Sequence, residues 1–163
     1  MDHYNEADLE LLISQEETAK RDGFTSQDAY KIGQAIISLI PEYDRGIALQ
    51  IIREKDGAVI FQYISDDKAE RNLNFAHMKH EVIKVYGHSS AYLYVKEQID
   101  HKTYTTDTLL ASAGSFPIYN SHSERIASIL ISGLHHGEDH EILIRGLEKA
   151  DQKVYPQFTK ALN

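Results

Sequence analysis

The chain has 163 residues, a length typical of one folded domain (residues 1–163) with a single core. Of these residues 42% are hydrophobic and 26% charged, a composition that argues against a disordered chain. Its formal net charge of −8 at pH 7 argues against nucleic-acid binding, which needs clustered cations, and against anionic membrane surfaces. The chain contains no cysteine, which excludes disulfides and thiolate chemistry. It also shows no apolar run typical of a membrane span and no pattern typical of a signal peptide, so we expect a cytoplasmic protein.

The first third of the chain predicts two helices followed by a β-hairpin. A helix is expected over Asn5–Arg21, and Ser26 can cap a second helix that Pro41 ends after about Ile40. Two β-rich runs then flank an Asp-Gly pair, which is a strong hairpin signal. The predicted strands lie within Gly46–Arg53 and Ala58–Ser65.

The middle of the chain predicts a long helix and a short one. The long helix runs from about Lys68 to Tyr86, and Gly87 breaks it. Its apolar residues suggest one buried stripe, formed by Phe75, Met78, Val82, Val85 and Tyr86. Ser89 is expected to cap a helix that continues to about Gln98, and the following residues 99–112 indicate either a strand start or an ordered loop.

A second hairpin is expected within Gly114–Ser132. Pro117 lacks an amide hydrogen, so its strand should lie at a sheet edge or bend there. From Ile126 to Ser132, alternate residues form one wholly apolar face and one face that mixes apolar and hydroxyl side chains, as in a sheet covered on both sides. A final helix is expected from Glu138 to about Phe158, with inward-facing residues Leu143, Leu147, Ala150, Val154 and Phe158.

These elements predict an α+β domain. An isolated hairpin is marginal in water, so the two hairpins should share one mainly antiparallel sheet. Helices before, between and after the hairpins then predict a three-layer α/β/α arrangement with helices on both faces.

Two stretches resemble a known family. Residues 114–140 contain Gly-x-Phe-Pro-Ile, a strand ending in Ser-Gly, and Asp-His opening the last helix; residues 72–90 contain a pattern matched by Asn72, Phe75, Lys79, Tyr86, His88, Ser89 and Ser90. On these residues the chain resembles the haem-degrading-domain family, the GlcG- and HbpS-like proteins, and in particular a largely uncharacterised subfamily. The resemblance implies a profilin-like sheet of about five strands, ring-like homo-oligomers, and haem or a related anionic compound as ligand.

Lys79 is the first candidate binding residue, in a cluster where the family carries arginines and this chain carries His77, Lys79 and His80. The cluster could bind a small anion, and protonation of the two histidines would then strengthen binding as the pH falls from about 8 to 6. The alternative is a solvated helix face. A cation within an apolar stripe either waits for an anionic ligand or pairs with a carboxylate, and Asp139 is the family-matched acid to test as its partner.

Two further stretches, the serines before the short helix and the strand that follows Gly114, are expected to lie near Lys79. The hydroxyls of Ser89 and Ser90 could cap a helix or help its amides bind an anion, and we expect them to share a pocket with Lys79 and with Gly114 and Phe116. A serine hydrolase is not indicated, because no Gly-x-Ser-x-Gly elbow is present.

The histidine-rich segment at the start of the last helix suggests a metal site. His136 and His140 are four residues apart and share a helix face, and with Asp139 they could chelate a divalent metal. The alternative is that Asp139 and His140 serve helix capping or a subunit contact.

Three functions remain open on the sequence. The preferred one is a small-ligand binding or sensing domain, for haem or another anionic compound. The second is an oligomeric scaffold without catalytic activity, and the third is a metal-dependent enzyme. We expect a homo-oligomer, from the family resemblance and from the apolar residues on both faces of the last strand.

Overall fold

The computed structural model describes residues 3–162, apart from the side chain of His136. In chain order its elements are α1 (Glu6–Ala19), α2 (Ser26–Leu39) with a 3₁₀ turn (Ile40–Glu42), β1 (Ala48–Arg53), β2 (Ala58–Ile64), α3 (Glu70–Tyr86), α4 (Ser90–Asp100), β3 (Ser115–Tyr119), β4 (Arg125–Ser132) and α5 (His136–Asp151). Among these helices, none is long and apolar enough to cross a membrane.

The strands form one antiparallel sheet in the order β2-β1-β4-β3. Both predicted hairpins are confirmed, and β1 and β4 pair in the centre of the sheet. β3, which contains Pro117, is an edge strand, as the missing amide hydrogen requires. The expected number of about five strands is too high by one for the described residues.

Helices cover both faces of the sheet, as predicted. The apolar face of β4, including Ile129 and Ile131, packs with α2 and α5 in the main core. The other face meets α3, where Ile52 and Leu130 contact Ala76 and Ile83. Both faces of β4 are therefore buried within one chain, so its two apolar faces are no evidence for an oligomer.

The predicted buried stripe of α3 is correct for Val82, which is fully buried, and wrong for three of its other four members. Phe75, Val85 and Tyr86 are exposed, and the buried side chains are Ala76, Lys79, His80, Val82 and Ile83. The reason is the sheet face below, which presents polar side chains (Gln50, Ser115, Ser128 and Ser132). Polar residues of α3 find partners on that face, so the buried side of this helix is partly polar.

α5 ends seven residues earlier than predicted. Gln152 adopts a left-handed conformation (φ 54°) and its amide donates to Glu148, which closes the helix. Val154, expected inside, is 81% exposed, whereas Phe158 packs from the following coil against the cluster that joins α1 and α4.

The segment between α4 and β3 is an ordered loop and not a strand. The Glu97 carboxylate accepts from the amides of Tyr104 (2.6 Å) and Thr105 (3.0 Å), and the Leu110 amide donates to the Met78 carbonyl (3.0 Å). These bonds tie the loop to α4 and to the middle of α3.

Candidate functional site

A buried salt bridge joins α3 to the start of α5. Lys79 Nζ lies 3.0 Å from Asp139 Oδ2 and donates to the Ile131 carbonyl of β4 at 2.9 Å. Lys79 is 3% exposed and Asp139 2%. Burial raises the pKa of the Asp139 carboxyl, while Lys79 and the amide of Leu134, which donates to Oδ1 at 2.9 Å, favour its charged form. Of the two alternatives for Lys79, the structure contains the carboxylate partner.

Gly114 makes room for this pair. Its φ of 135° lies in a region that favours glycine, and a Cβ at this position would lie 2.7 Å from Lys79 Nζ and 2.3 Å from the Ile131 carbonyl oxygen. The family-matched glycine and lysine are thus in direct contact. A side chain at position 114 would displace the ammonium group from Asp139.

A surface cavity of about 490 Å³ opens above the salt bridge. Lys79 and Asp139 lie in its lining, together with Ser112 and Ser132. Around them lie cationic side chains and apolar groups (Arg45, Lys68, Arg71, Phe75 and Leu110). We call this space the Lys79 cavity.

The lining of the Lys79 cavity carries more positive than negative charge. Lys79 and Asp139 neutralise each other, which leaves Arg45, Lys68 and Arg71 as the remaining charged side chains of the lining, and Arg45 Nε lies 3.7 Å from Asp44 Oδ1. The Arg71 side chain has no hydrogen bond or salt bridge among residues 3–162, and Lys68 Nζ lies 3.7 Å from the half-exposed Asp67. In a chain with a net charge of −8, this is a local electropositive site.

Three cavity residues follow each other along one side of α3. Arg71, Phe75 and Lys79 are spaced four residues apart, so they line up over two helical turns, or about 12 Å. This side of α3 therefore presents a guanidinium, an aromatic ring and a buried ammonium, one per helical turn. Arg71 was not identified from the sequence, although its separation from Lys79 by about two helical turns places both residues on the same side of α3.

His77 and His80 do not line the Lys79 cavity. His77 Nε2 contacts Gln50 Oε1 (2.8 Å), and His80 Nε2 contacts Glu54 Oε1 (2.7 Å). Burial, with the charges of His80 and Lys84, lowers the pKa of His77. An anion grip shared by these histidines and Lys79 gains no support from this placement.

The serines and Phe116 lie apart from the cavity lining. Ser89 Oγ caps α4 by accepting from the Tyr92 amide (3.1 Å), and Ser90 Oγ accepts from the Ser115 amide (3.0 Å). Phe116 is buried in the main core on the opposite face of the sheet. Of the residues expected to share the pocket, only Lys79 lines the cavity in the part of the chain that the structure describes, and Gly114 approaches the Lys79 ammonium from outside the lining.

A buried carboxylate lies next to the serines. Glu16 of α1 accepts from the Ser89 amide (3.1 Å) and lies 3.0 Å from His88 Nδ1. Sequence reasoning missed Glu16, since nothing local in α1 indicates a partner 72 residues away. The contact fixes α1 to the start of α4.

Asp139 and His140, two of the three suggested metal ligands, already have protein partners. Gln15 donates through Nε2 to the Pro156 carbonyl (2.8 Å), so its Oε1 accepts from His140 Nε2 (2.7 Å). Complete burial lowers the pKa of His140 to about 4, which keeps its ring neutral at pH 7. No three acidic or histidine side chains form a metal cluster among the described residues, and the side chain of His136 lies outside them, so the metal site stays a prediction.

A family model described as haem degrading protein HbpS-like matches residues 24–148. The chain belongs to this HbpS-like family. A UPF0303 protein of Rhizobium rhizogenes is 28% identical over 147 residues, covering 87% of this chain and 90% of the relative. A UPF0303 protein of Streptomyces coelicolor is 26% identical over 132 residues, covering 77% and 82%.

Solved structures share the fold of this HbpS-like chain. The Ybr137w protein superposes with a TM-score of 0.78 at 24% identity, covering 90% of both chains. HbpS gives a TM-score of 0.60 at 15% identity, covering 80% of this chain and 91% of HbpS. A PduOC:heme complex gives 0.66 at 14% identity, covering 83% and 99%. These likenesses support the α+β fold, and the last of these structures is described as a haem complex.

Proposed function

We propose that this HbpS-like protein binds a small anionic ligand in the Lys79 cavity. The observation that carries the proposal is the excess of cationic side chains in the cavity lining of an acidic protein, since Arg71 has no acidic partner among the described residues. Because Asp139 already neutralises Lys79, the ligand's negative group is held by Arg71 and Lys68 of the cavity lining, and Lys79 holds the buried end of the cavity in place.

The apolar groups of the lining suggest the body of the ligand. Phe75 is one turn from both Arg71 and Lys79, and Leu110 contributes a further apolar side chain. An exposed aromatic ring beside a guanidinium suits a flat apolar compound that carries a carboxylate or phosphate. We therefore propose an aromatic or similarly planar acid as the ligand class.

Haem meets only part of this description. Its carboxylates suit the cations and its ring suits Phe75, but the described lining of the Lys79 cavity contains no histidine, tyrosine, methionine or cysteine to ligate iron. The cavity does not fit a haem ligated through iron by this chain. It fits the acid groups and the flat ring, which haem shares with iron-free porphyrins.

Titration calorimetry with haemin, protoporphyrin IX and a panel of aromatic acids tests the proposal. We expect haemin and protoporphyrin IX to bind with similar affinity, because the iron has no protein ligand. Arg71→Ala should weaken binding about tenfold, the equivalent of about 1.4 kcal/mol. The matched control is Lys31→Ala, an exposed cation on α2 at the opposite face of the sheet, which should bind as the wild type does.

Two results would contradict the proposal. One is the absence of binding by the wild type across the whole panel. The other is an equal loss of affinity in Arg71→Ala and Lys31→Ala, which would indicate general charge attraction and no defined site.

A further inference from the structure

The two edges of the sheet differ in how they are protected. The β3 edge strand has five residues, contains Pro117, and has α1 packed beside it. The β2 edge strand has seven residues, none charged and none proline, and no further strand pairs with it within residues 3–162. A long uncharged edge is a template for pairing with another strand, because its outer amides and carbonyls lack partners. The one irregularity of β2 is a bulge at Ile60, which leaves Phe61–Ile64 regular.

Apolar side chains are exposed beside this edge. Val59 is 46% exposed, and Tyr63 is also exposed, although both belong to a strand of the sheet. Because of the bulge, Val59 lies next to Ile52 on the α3 side and Tyr63 lies next to Leu49 on the α2 side. A strand added at the edge would cover apolar groups on both faces.

The charges at the two ends of β2 indicate which strand fits. Lys55 is exposed at the turn before β2, and Asp66 is exposed just after it. Neither side chain makes a hydrogen bond or salt bridge with the part of the chain that the structure describes, although the charge of Lys55 helps to lower the pKa of the neighbouring Asp56. If two copies of β2 align antiparallel, the Lys55 end of each strand lies beside the Asp66 end of the other. This arrangement gives two complementary contacts related by a two-fold axis.

We propose that β2 pairs antiparallel with β2 of a second copy of this chain. The pairing joins two four-stranded sheets into one continuous sheet of eight strands across the two-fold axis. It uses no residue of the Lys79 cavity, so it is independent of the proposed ligand.

Light scattering coupled to size-exclusion chromatography tests the interface. We expect the wild type to form an assembly with an even number of 18.6 kDa chains. The Val59→Lys/Tyr63→Lys double variant should halve that mass, because lysines at an edge strand repel their symmetry mates. The matched control is Val154→Lys, at an apolar residue that is 81% exposed in the coil after α5, and it should keep the wild-type mass.

Circular dichroism must show that the double variant is folded. If it is not, hydrogen exchange of the wild type replaces it, and the amides of residues 59–64 should exchange more slowly as protein concentration rises. The proposal is overturned by a wild-type mass of one chain at micromolar concentration, by an odd number of copies, by a folded double variant of unchanged mass, or by exchange that is independent of concentration.

Discussion

Replacing Lys79 by methionine tests the salt bridge at the floor of the cavity. Methionine keeps most of the volume of the lysine stem but removes the ammonium that faces Asp139 and the Ile131 carbonyl. Since both charged groups are almost fully buried, the variant leaves a carboxylate without its counter-charge in the interior. Loss of one partner of such a pair costs about 3–5 kcal/mol of unfolding free energy.

Protonation of Asp139 limits this loss. Burial already raises the pKa of Asp139, and without Lys79 the pKa of the folded state rises further. A group whose folded pKa is raised gives full stability below its unfolded pKa, near 4, and loses it as the pH rises toward the folded value. We therefore expect a loss of about 3 kcal/mol at pH 7 and a smaller loss at pH 5.

Urea unfolding followed by circular dichroism at both pH values measures these differences. The Lys79→Met/Asp139→Asn double variant should recover about 2 kcal/mol at pH 7, because the amide oxygen can still accept from Leu134. Lys84→Met is the control on the same helix, where an exposed pair with Glu81 contributes under about 0.5 kcal/mol. A Lys79→Met variant within about 1 kcal/mol of the wild type would refute this reasoning and restore the view that Lys79 waits for a ligand.

Two further variants test the surroundings of the site. Gly114→Ala should cost on the order of 2–4 kcal/mol of unfolding free energy, because its Cβ would meet a backbone oxygen and its φ is unfavourable for alanine. The control is Gly23→Ala, which has open space around it and should change the unfolding free energy by less than about 1 kcal/mol. Similar values for the two variants would contradict the close approach at Gly114. Burial acts to raise the pKa of Glu54, but hydrogen bonds from His80 and Arg125 outweigh it and lower the pKa to about 2, so the stability from this carboxylate is present above pH 4.5 and is lost as the pH falls to 2. The unfolding free energy of Glu54→Gln should therefore fall by about 2 kcal/mol less than that of the wild type between pH 5 and pH 2, a value discounted for the partial exposure of Glu54. Urea unfolding over this pH range measures the difference, and equal falls in both proteins would exclude Glu54 as the source.

Local signals in the sequence were sufficient for the hairpins and for the order of the helices. Asp56-Gly57 is the turn between β1 and β2, and the alternation from Ala127 to Ser132 correctly separated the residues facing the two helical layers. Ile126 is the exception, because the register shifts beside it and its side chain packs against the main core. The same kind of pattern failed for α3, because hydrophobicity along one helix carries no information about the polarity of the face it meets. The partners that hold Lys79 and His80 inward, Asp139 and Glu54, are distant in sequence from α3.

The candidate site was predictable only in part for a similar reason. Lys79 and Asp139 were both recognised, and their pairing was one of two alternatives, but nothing in the sequence sets the distance between residues 60 positions apart. The regular spacing of Arg71, Phe75 and Lys79 was accessible to helical periodicity, yet Phe75 was interpreted as core. The position of β2 at the sheet edge depends on strand order, which the pattern of elements did not define.

The parts of the chain outside the matched family segment complete its hydrophobic packing. α1 precedes residue 24 and the coil after α5 follows residue 148, and both contribute to one cluster through Leu9, Leu12 and Leu162. Gln15 also bonds the coil at Pro156 and α5 at His140. Expressing residues 24–148 alone would uncover Ala91 and Val95 on α4, so the independently folding unit is wider than the segment by which the family is recognised.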